Sequence, residues 1–135
     1  MVVIDTSALL GVLLEDEESV DLDEEILLSE DLIAPDLLAY EVVSAMVKGV
    51  RRGRLGGQDG LRVIEQCLSM VRLLPPRIDS SLFAANVAQL TGLSGYDASY
   101  LCLAHELQAP LLTLDQRLRQ VAQTVGVDVV RPATS

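Results

Sequence analysis

The sequence predicts an α/β fold, a three-layer sandwich in which helices cover both faces of a central parallel sheet. Short apolar runs of strand length alternate along the 135 residues with longer segments of helical character, and this alternation is typical of parallel sheets. A chain of this length has the size of one domain. Since no repeat, low-complexity tract or linker divides it, we expect a single domain over residues 1–135.

The amino-terminal part predicts two strands and three helices. They are expected in the order strand 2–4 (VVI), helix 6–14, helix within 17–29, strand 31–35 (DLIAP) and helix 36–52. Pro35 ends the second strand, because proline has no backbone N–H to donate to a sheet.

The carboxyl-terminal part continues the alternation. We expect a helix from 57 that runs into a short strand near Val71–Leu74, helices at 79–92 and 95–107, a strand at 109–115, a helix at 116–126 and a last strand at 127–130. Asp79 or Ser80 is the expected cap of helix 79–92, since short polar side chains accept hydrogen bonds from free helix N–H groups.

Composition excludes several classes of protein. No apolar run approaches the roughly 20 residues that span a bilayer, and no basic segment precedes the first apolar stretch as it would in a signal peptide. We therefore expect a cytoplasmic protein without membrane association. Cys67 and Cys102 match no metal-ligand spacing and are expected to be ordinary reduced thiols. His105 is the only histidine, which excludes paired-histidine ribonucleases and His-rich zinc sites and favours a structural role.

Charge is unevenly distributed along a chain whose net charge is −10, a value that taken alone argues against a nucleic-acid partner. Residues 1–41 hold 13 acidic side chains and neither Lys nor Arg. The acidic run at 15–25 favours a solvated helix face or loop. A basic run follows at 48–62. Cations at a helix end complement the helix dipole, and such a run can equally bind a nucleic-acid backbone, so both interpretations stay open.

Four carboxylates stand where an open α/β sheet binds its ligands. Asp5 follows the first strand and Asp115 follows the LLTL strand, and ligands bind at the carboxyl ends of parallel strands. Asp97 lies in the first turn of its helix, and Glu41 lies about one and a half turns into the helix after Pro35. Each has a simpler explanation, because an Asp at a helix start caps N–H groups and Glu41 could belong to a polar stripe.

The chain resembles the PIN domain family, and within it the VapC-like toxin ribonucleases. Four motifs stand in the family's order and approximate spacing over nearly the whole chain, namely VVIDTSALL, APDLLAYEV, GYDASYLCLA and LLTLDQRL. The resemblance implies a PIN-like sandwich whose catalytic and metal-binding carboxylates are Asp5, Glu41, Asp97 and Asp115. It also implies that Thr6 and Thr113 provide hydroxyl groups next to these ligands.

The activity implied by the resemblance is that of an endoribonuclease dependent on Mg²⁺ or Mn²⁺. Hard divalent cations prefer oxygen ligands, and clustered carboxylates repel one another without a cation. RNA contacts are expected from the basic run, at Lys48, Arg51, Arg52 and Arg54. Family members pair with a small antitoxin that covers the acidic site and commonly form homodimers, so the resemblance implies both partners. Gln116 and Arg117 stand where some members carry a further acid, which predicts a weaker second metal position.

Three alternatives compete with this interpretation. A haloacid-dehalogenase-type phosphatase needs a second Asp where Ser7 stands, and both it and a receiver domain need a Lys near the phosphate, whereas the only Lys is Lys48. The strongest alternative is a PIN-like binding or RNA-processing module without a toxin role. In a module that only binds, the acids would be reduced to helix caps. Tyr96, beside Asp97, could stack on a base, although core packing is its simpler explanation.

Overall fold

The computed structural model describes residues 1–14 and 31–130. These ranges hold β1 (Val2–Ile4), α1 (Thr6–Leu13), β2 (Leu32–Pro35), α2 (Leu37–Arg51), α3 (Gly57–Met70), β3 (Val71–Leu74), α4 (Ile78–Thr91), α5 (Gly95–Leu107), β4 (Leu111–Leu112) and α6 (Gln116–Thr124). The helix predicted within 17–29 and the acidic run at 15–25 lie outside the described residues.

The four strands form one parallel sheet in the order β3-β2-β1-β4. Val3 pairs with Ile33 of β2 on one side and with Leu111 of β4 on the other. Because all strands are parallel, their carboxyl ends meet at one edge of the sheet. The predicted central parallel sheet is confirmed, and its topology makes β1 the neighbour of β4.

Helices cover both faces of this sheet. The chain moves from β1 through β2 to β3 and then returns past β1 to β4. Because crossovers between parallel strands are right-handed, the helices that precede β3 lie on one face of the sheet and those between β3 and β4 lie on the other. In agreement, α1 packs against α2 and α3, while α4 packs against α5, which in turn lies on β1, β2 and β4. The predicted three-layer sandwich is thus confirmed. Its core is largely aliphatic, with Tyr100 among the largest fully buried side chains.

The predicted start of α4 is wrong. The helix begins at Ile78 with Arg77 in the N-cap position, so neither Asp79 nor Ser80 is the cap. Asp79 lies in the first turn and its carboxylate pairs with the Arg77 guanidinium at 3.1 Å. A negative charge in the first turn interacts favourably with the helix dipole without capping the helix.

The two strands predicted near the carboxyl terminus are shorter than expected. The strand predicted at 109–115 is reduced to Leu111–Leu112. The strand predicted at 127–130 is a single bridge between Val129 and Leu111. The reason is that two backbone hydrogen bonds, Leu111 N–H to Asp128 O and Val130 N–H to Leu111 O, join the segments at one point only.

Gly92 ends α4 and lies against α6. Its φ of 78° is in the left-handed region, which glycine adopts without steric cost. A Cβ at this position would lie 2.6 Å from Nη2 of Arg117. That same nitrogen donates a hydrogen bond to the Thr91 carbonyl at 3.1 Å, so the start of α6 is fastened to the end of α4.

Candidate active site

Asp5 lies at the carboxyl end of β1, in the crevice between β1 and β4 where the strand order reverses. Ligands of open α/β sheets bind at such points. The side chain is 5% exposed. It accepts hydrogen bonds from the Ala8 amide at 3.0 Å, from the Ser7 hydroxyl at 2.7 Å and from the buried Thr113 hydroxyl. The Ala8 bond is the cap of α1, so Asp5 is both a cap and part of a polar network.

Asp115 follows β4 and lies on the same edge of the sheet as Asp5. It is the N-cap of α6, with Oδ1 accepting a 2.9 Å hydrogen bond from the Leu118 amide. The Asp115 amide donates to Oγ1 of Thr113 at 3.0 Å, and the Thr113 hydroxyl donates to Asp5. Thr113, which is 1% exposed, therefore links the Asp115 backbone amide to the Asp5 carboxylate.

Glu41 reaches the crevice from α2. Its Oε1 accepts two hydrogen bonds, one from the Tyr100 hydroxyl at 2.6 Å and one from Oγ1 of Thr6 at 3.1 Å. Burial first, and then the bond to the Glu41 carboxylate, raises the pKa of the Tyr100 phenol well above its usual range. The phenol is therefore a neutral donor at physiological pH. Both bonds go to Oε1, and no hydrogen bond from residues 1–14 or 31–130 goes to the other oxygen, which could therefore bind a further ligand.

Asp97 lies in the first turn of α5, half-buried, and it is not the cap of that helix. The N-cap is Ser94, whose Oγ accepts a 3.0 Å hydrogen bond from the Asp97 amide. The cap explanation is thus correct for Asp5 and Asp115 but wrong for Asp97. The Ser94 side chain caps the start of α5, so the Asp97 carboxylate is not needed to cap this helix.

The four carboxylates interact electrostatically. Burial, followed by the charges of Asp115 and Glu41, raises the pKa of Asp97. The hydrogen bond with Ser94 lowers this pKa, but by less than the other causes raise it. Burial also raises the pKa of Asp5 against the opposing effect of its three hydrogen bonds, and the charge of Asp97 adds to the increase. Like charges disfavour one another's ionisation when they are close. The acids from β1, α2, α5 and the β4–α6 junction therefore belong to one electrostatic cluster.

The donors of this cluster fit a hard divalent cation. All of them are carboxylate or hydroxyl oxygens, the ligands that Mg²⁺ and Mn²⁺ prefer. Within residues 1–14 and 31–130, no three His, Cys, Asp or Glu side chains are arranged so that they could hold one metal ion as they stand. Mg²⁺ is usually held by one or two carboxylates and keeps several water ligands. The mutual repulsion at Asp97 is what a cation would relieve.

Sequence reasoning missed two contributors to the cluster. Tyr100 resembles an ordinary core residue in an apolar helix, but it follows Asp97 by three positions and so lies on the same helical face. That spacing was the available signal. Ser7 is the other, because its hydroxyl donates to Asp5 and accepts a 3.1 Å hydrogen bond from the Leu114 amide. No sequence pattern marks Ser7 beyond its closeness to Asp5.

The expected RNA-contacting cations lie away from the cluster, around the end of α2. Lys48 and Arg51 occupy its last turn, Arg52 is the C-cap, and Arg54 follows in the turn before α3. All four are exposed. Tyr96 is 65% exposed, so the expectation that it packs in the core is wrong, because its position at the start of α5 turns it outward.

A cavity of about 320 Å³ opens elsewhere, between α4 and α5 at the carboxyl ends of β2 and β3. None of the four acids lines it. Its walls are mainly apolar and include Pro75, Pro76 and Leu103, and the ion pair between Arg77 and Glu106 stands at its side. The chemistry-bearing residues are thus in the acidic crevice and not in the cavity.

The remaining reactive side chains are outside the cluster. Cys67 and Cys102 are buried free thiols, and burial raises the pKa of each to about 11. His105 packs against Phe83, with ring centroids 6.0 Å apart. No helix in the described part of the chain is long and apolar enough to cross a membrane.

Comparison with known proteins gives a consistent assignment. The PIN domain model matches residues 2–123. The chain is 33% identical to ribonuclease VapC9 of Mycobacterium tuberculosis over 123 residues, which cover 91% of this chain and 92% of that protein. The structure of PAE2754 from Pyrobaculum aerophilum superposes with a TM-score of 0.69 at 27% identity, covering 88% and 84% of the two chains.

A second solved structure shares the fold at lower identity. It is VapC20 of Mycobacterium tuberculosis, described as a toxin that cleaves the sarcin-ricin loop. The superposition has a TM-score of 0.67 at 18% identity and covers 98% of this chain and 100% of that one. At this identity the likeness supports the fold alone.

Proposed function

The chain belongs to the PIN domain family, and from that premise we propose that it is an endoribonuclease, the toxin of a toxin–antitoxin pair, which cleaves RNA with the help of a divalent cation. Membership confirms the resemblance drawn from the four sequence motifs. One observation carries the proposal: burial, and after it the charges of Asp115 and Glu41, raise the pKa of Asp97. These acids come from three separate segments of the chain, and none of them forms a salt bridge with a Lys or Arg of residues 1–14 or 31–130.

In the proposed mechanism Asp5, Glu41, Asp97 and Asp115 would hold Mg²⁺ or Mn²⁺ at the carboxyl edge of the sheet, together with water ligands. When bound, such an ion lowers the pKa of a water molecule and neutralises charge on the transferring phosphate. Asp5 is fixed by Thr113, Ser7 and the Ala8 amide, and Glu41 is fixed by Tyr100 and Thr6. Carboxylates that are already oriented lose little freedom when they bind a ligand.

The RNA phosphate and the antitoxin would compete for the same crevice. A phosphodiester approaches an acidic cluster only when a cation is present, so we propose that the ion is needed for substrate binding as well as for cleavage. An antitoxin reaches the same site with a cationic side chain, because Arg pairs with carboxylates through two parallel hydrogen bonds. We further propose that the chain forms a homodimer, which light scattering of the purified protein tests directly.

An RNA cleavage assay tests the proposed activity. The wild-type protein is expected to cleave single-stranded RNA with Mg²⁺ or Mn²⁺ and to be inactive with a chelator, whereas Asp97→Asn is expected to be inactive with either ion. Asp59→Asn is the matched control, because Asp59 also lies in the first turn of a helix but outside the cluster. It should cleave as the wild type does. Cleavage by Asp97→Asn at the wild-type rate would overturn the proposal.

A thermal shift experiment gives a second, independent measurement. A ligand that binds only the folded state stabilises it by mass action, by about 2.7 kcal/mol at 100 times its dissociation constant. Mn²⁺ should therefore raise the melting temperature of the wild-type protein and of Asp59→Asn, but have a much smaller effect on Asp97→Asn.

The alternative function is that of a PIN-like binding or RNA-processing module. One observation favours it, since Asp5 and Asp115 each cap a helix and would be useful without any metal. A module that only binds RNA or protein does not cleave RNA, and its melting temperature does not respond to Mn²⁺. The cleavage and thermal shift measurements together decide between the nuclease and this binding module.

A further inference from the structure

The basic residues around the end of α2 are not equivalent in their relation to the acidic cluster. An α-helix turns by about 100° per residue. Lys48 follows Glu41 by seven positions and Arg52 follows it by eleven, so both lie within about 20° of the Glu41 direction. The Arg52 amide donates to the Lys48 carbonyl at 3.0 Å, which keeps Arg52 in helical register one turn beyond Lys48. Glu41, Lys48 and Arg52 therefore form one ridge.

The other cations of the basic run point elsewhere. Arg51 follows Glu41 by ten positions and is turned about 80° away from the ridge. Arg54 lies beyond the helix in the turn before α3, and Arg62 lies on α3. Sequence alone groups these residues because they are neighbours in the chain. The helical phase separates Lys48 and Arg52 from them.

The two cations of the ridge are available to an incoming anion. Both are exposed, and no carboxylate of residues 1–14 or 31–130 lies within salt-bridge distance of either. Arg72 and Arg77, in contrast, are engaged with Asp31, Asp79 or Glu106. Favourable interaction with the helix dipole accounts for cations at the end of α2, but it does not require them on the Glu41 side.

Distances along the ridge suit a strand that passes through the acidic crevice. At a rise of 1.5 Å per residue, Lys48 stands about 10 Å and Arg52 about 17 Å from Glu41 along the helix axis. A strand whose cleaved bond lies at the acids thus meets positive charge after it leaves them. On a protein of net charge −10, these two cations give the RNA a preferred path along α2 on one side of the cluster.

We propose that Lys48 and Arg52 bind backbone phosphates of the RNA on one side of the cleaved bond, so that the strand follows α2 away from the cluster. This inference rests on the proposed ribonuclease function and adds the path of the substrate to it. Contacts of this kind are sequence-independent, because they are made with phosphates. They position the strand, and the choice of cleavage sequence comes from other contacts.

The test measures how RNA binding depends on salt. A single-stranded RNA oligonucleotide is titrated at several salt concentrations in the presence of a fixed, saturating concentration of Mg²⁺. The Asp97→Asn background is used, because its expected inactivity prevents cleavage of the RNA. Each lost phosphate contact lowers the slope of log K against log salt by about 0.7 for a single strand. Lys48→Gln and Arg52→Gln should each lower the slope by about this amount. Arg51→Gln and Arg62→Gln, which remove the same charge, should keep the original slope.

Charge-preserving variants and cleavage rates complete the design. Lys48→Arg and Arg52→Lys should retain the slope. Equal effects of all four glutamine variants would overturn the inference. No effect of any variant would also overturn it, and an acidic protein segment would then be the next ligand to test on the ridge. If the wild-type protein does not cleave RNA but binding still depends on Lys48 and Arg52, the ridge stands and the ribonuclease function fails.

Discussion

The hydroxyl of Tyr100 donates a 2.6 Å hydrogen bond to Oε1 of Glu41, across 59 positions of sequence. Tyr100 lies on α5 and Glu41 on α2. These two helices lie on opposite faces of the sheet, because the crossovers between parallel strands are right-handed. The two side chains meet beyond the carboxyl edge of the strands, where Thr6 at the start of α1 joins them. Three elements of the fold thus converge on a single carboxylate oxygen.

Removal of this hydroxyl is expected to weaken metal binding more than folding. In Tyr100→Phe the ring still fills the core, while Glu41 keeps only the bond from Thr6 and turns more freely. Groups that orient metal ligands typically contribute 10- to 100-fold in affinity or activity. We expect a loss of about that size in Mn²⁺ affinity measured by calorimetry. Tyr40→Phe is the control, because Tyr40 is 77% exposed on the same helix as Glu41; an equal loss in both variants would contradict the prediction.

The Thr113 hydroxyl should be important for stability. Thr113→Val keeps the shape of the side chain but removes the donor to the buried Asp5 carboxylate, and an unsatisfied buried polar group costs about 1 to 3 kcal/mol. We expect a decrease of that order in the free energy of unfolding, measured with denaturant on the metal-free protein. Thr113→Ser retains a hydroxyl and should lose less. If valine and serine prove equally stable, the hydrogen bond to Asp5 is not what holds this position.

Ser94, and not Asp97, should be the residue that stabilises the start of α5. Because Ser94 is the N-cap of α5, Ser94→Ala should cost on the order of 1 kcal/mol of stability. Asp97→Ala removes a repelled charge and should leave the metal-free protein about as stable as before, while abolishing cleavage. Denaturant midpoints and cleavage rates of both variants check this. A loss of stability in Asp97→Ala as large as that in Ser94→Ala would favour a capping role for Asp97.

The stability of the metal-free protein should depend on pH through the raised pKa values of Asp5 and Asp97. A carboxyl group whose pKa is higher in the folded state stabilises the fold fully below its unfolded pKa of 3.8, and this contribution is lost as the pH rises through the folded value. In Asp97→Asn one of these groups no longer titrates. Between about pH 4 and pH 7 its free energy of unfolding should therefore fall less than that of Asp59→Asn. Identical pH profiles of the two variants would refute the prediction.

Patterns that depend on local order along the chain were sufficient to predict most of the fold. The strand-then-acid pattern at Asp5 and Asp115 placed both residues at the carboxyl edge of one parallel sheet, because that edge follows from chain direction alone. The start of α4 was predicted less well, since Asp79 in the first turn carries the same sequence signal as an Asp at the cap. At the start of α5, Asp97 was the residue considered as the cap, whereas the structure has Ser94 in that position.

Contacts between distant segments could not be predicted in this way. Tyr100 and Thr6 lie 94 positions apart, and nothing in either segment indicates that both hydroxyls will meet at Glu41. The prediction of a last strand at 127–130 was wrong for a related reason. VDVV has the composition of a strand, but how far it pairs depends on β4, which is only two residues long. A short partner limits the ladder whatever the propensity of the segment beside it.

Position 92 has a consequence for how this sequence can diverge. The left-handed backbone there and the nearby Arg117 guanidinium both disfavour a side chain, although the residue is exposed and is none of the proposed metal ligands. Surface positions ordinarily accept many replacements. In a saturation-mutagenesis library selected for folded protein, position 92 should accept few replacements, and those that survive should be enriched in second-site changes at position 117.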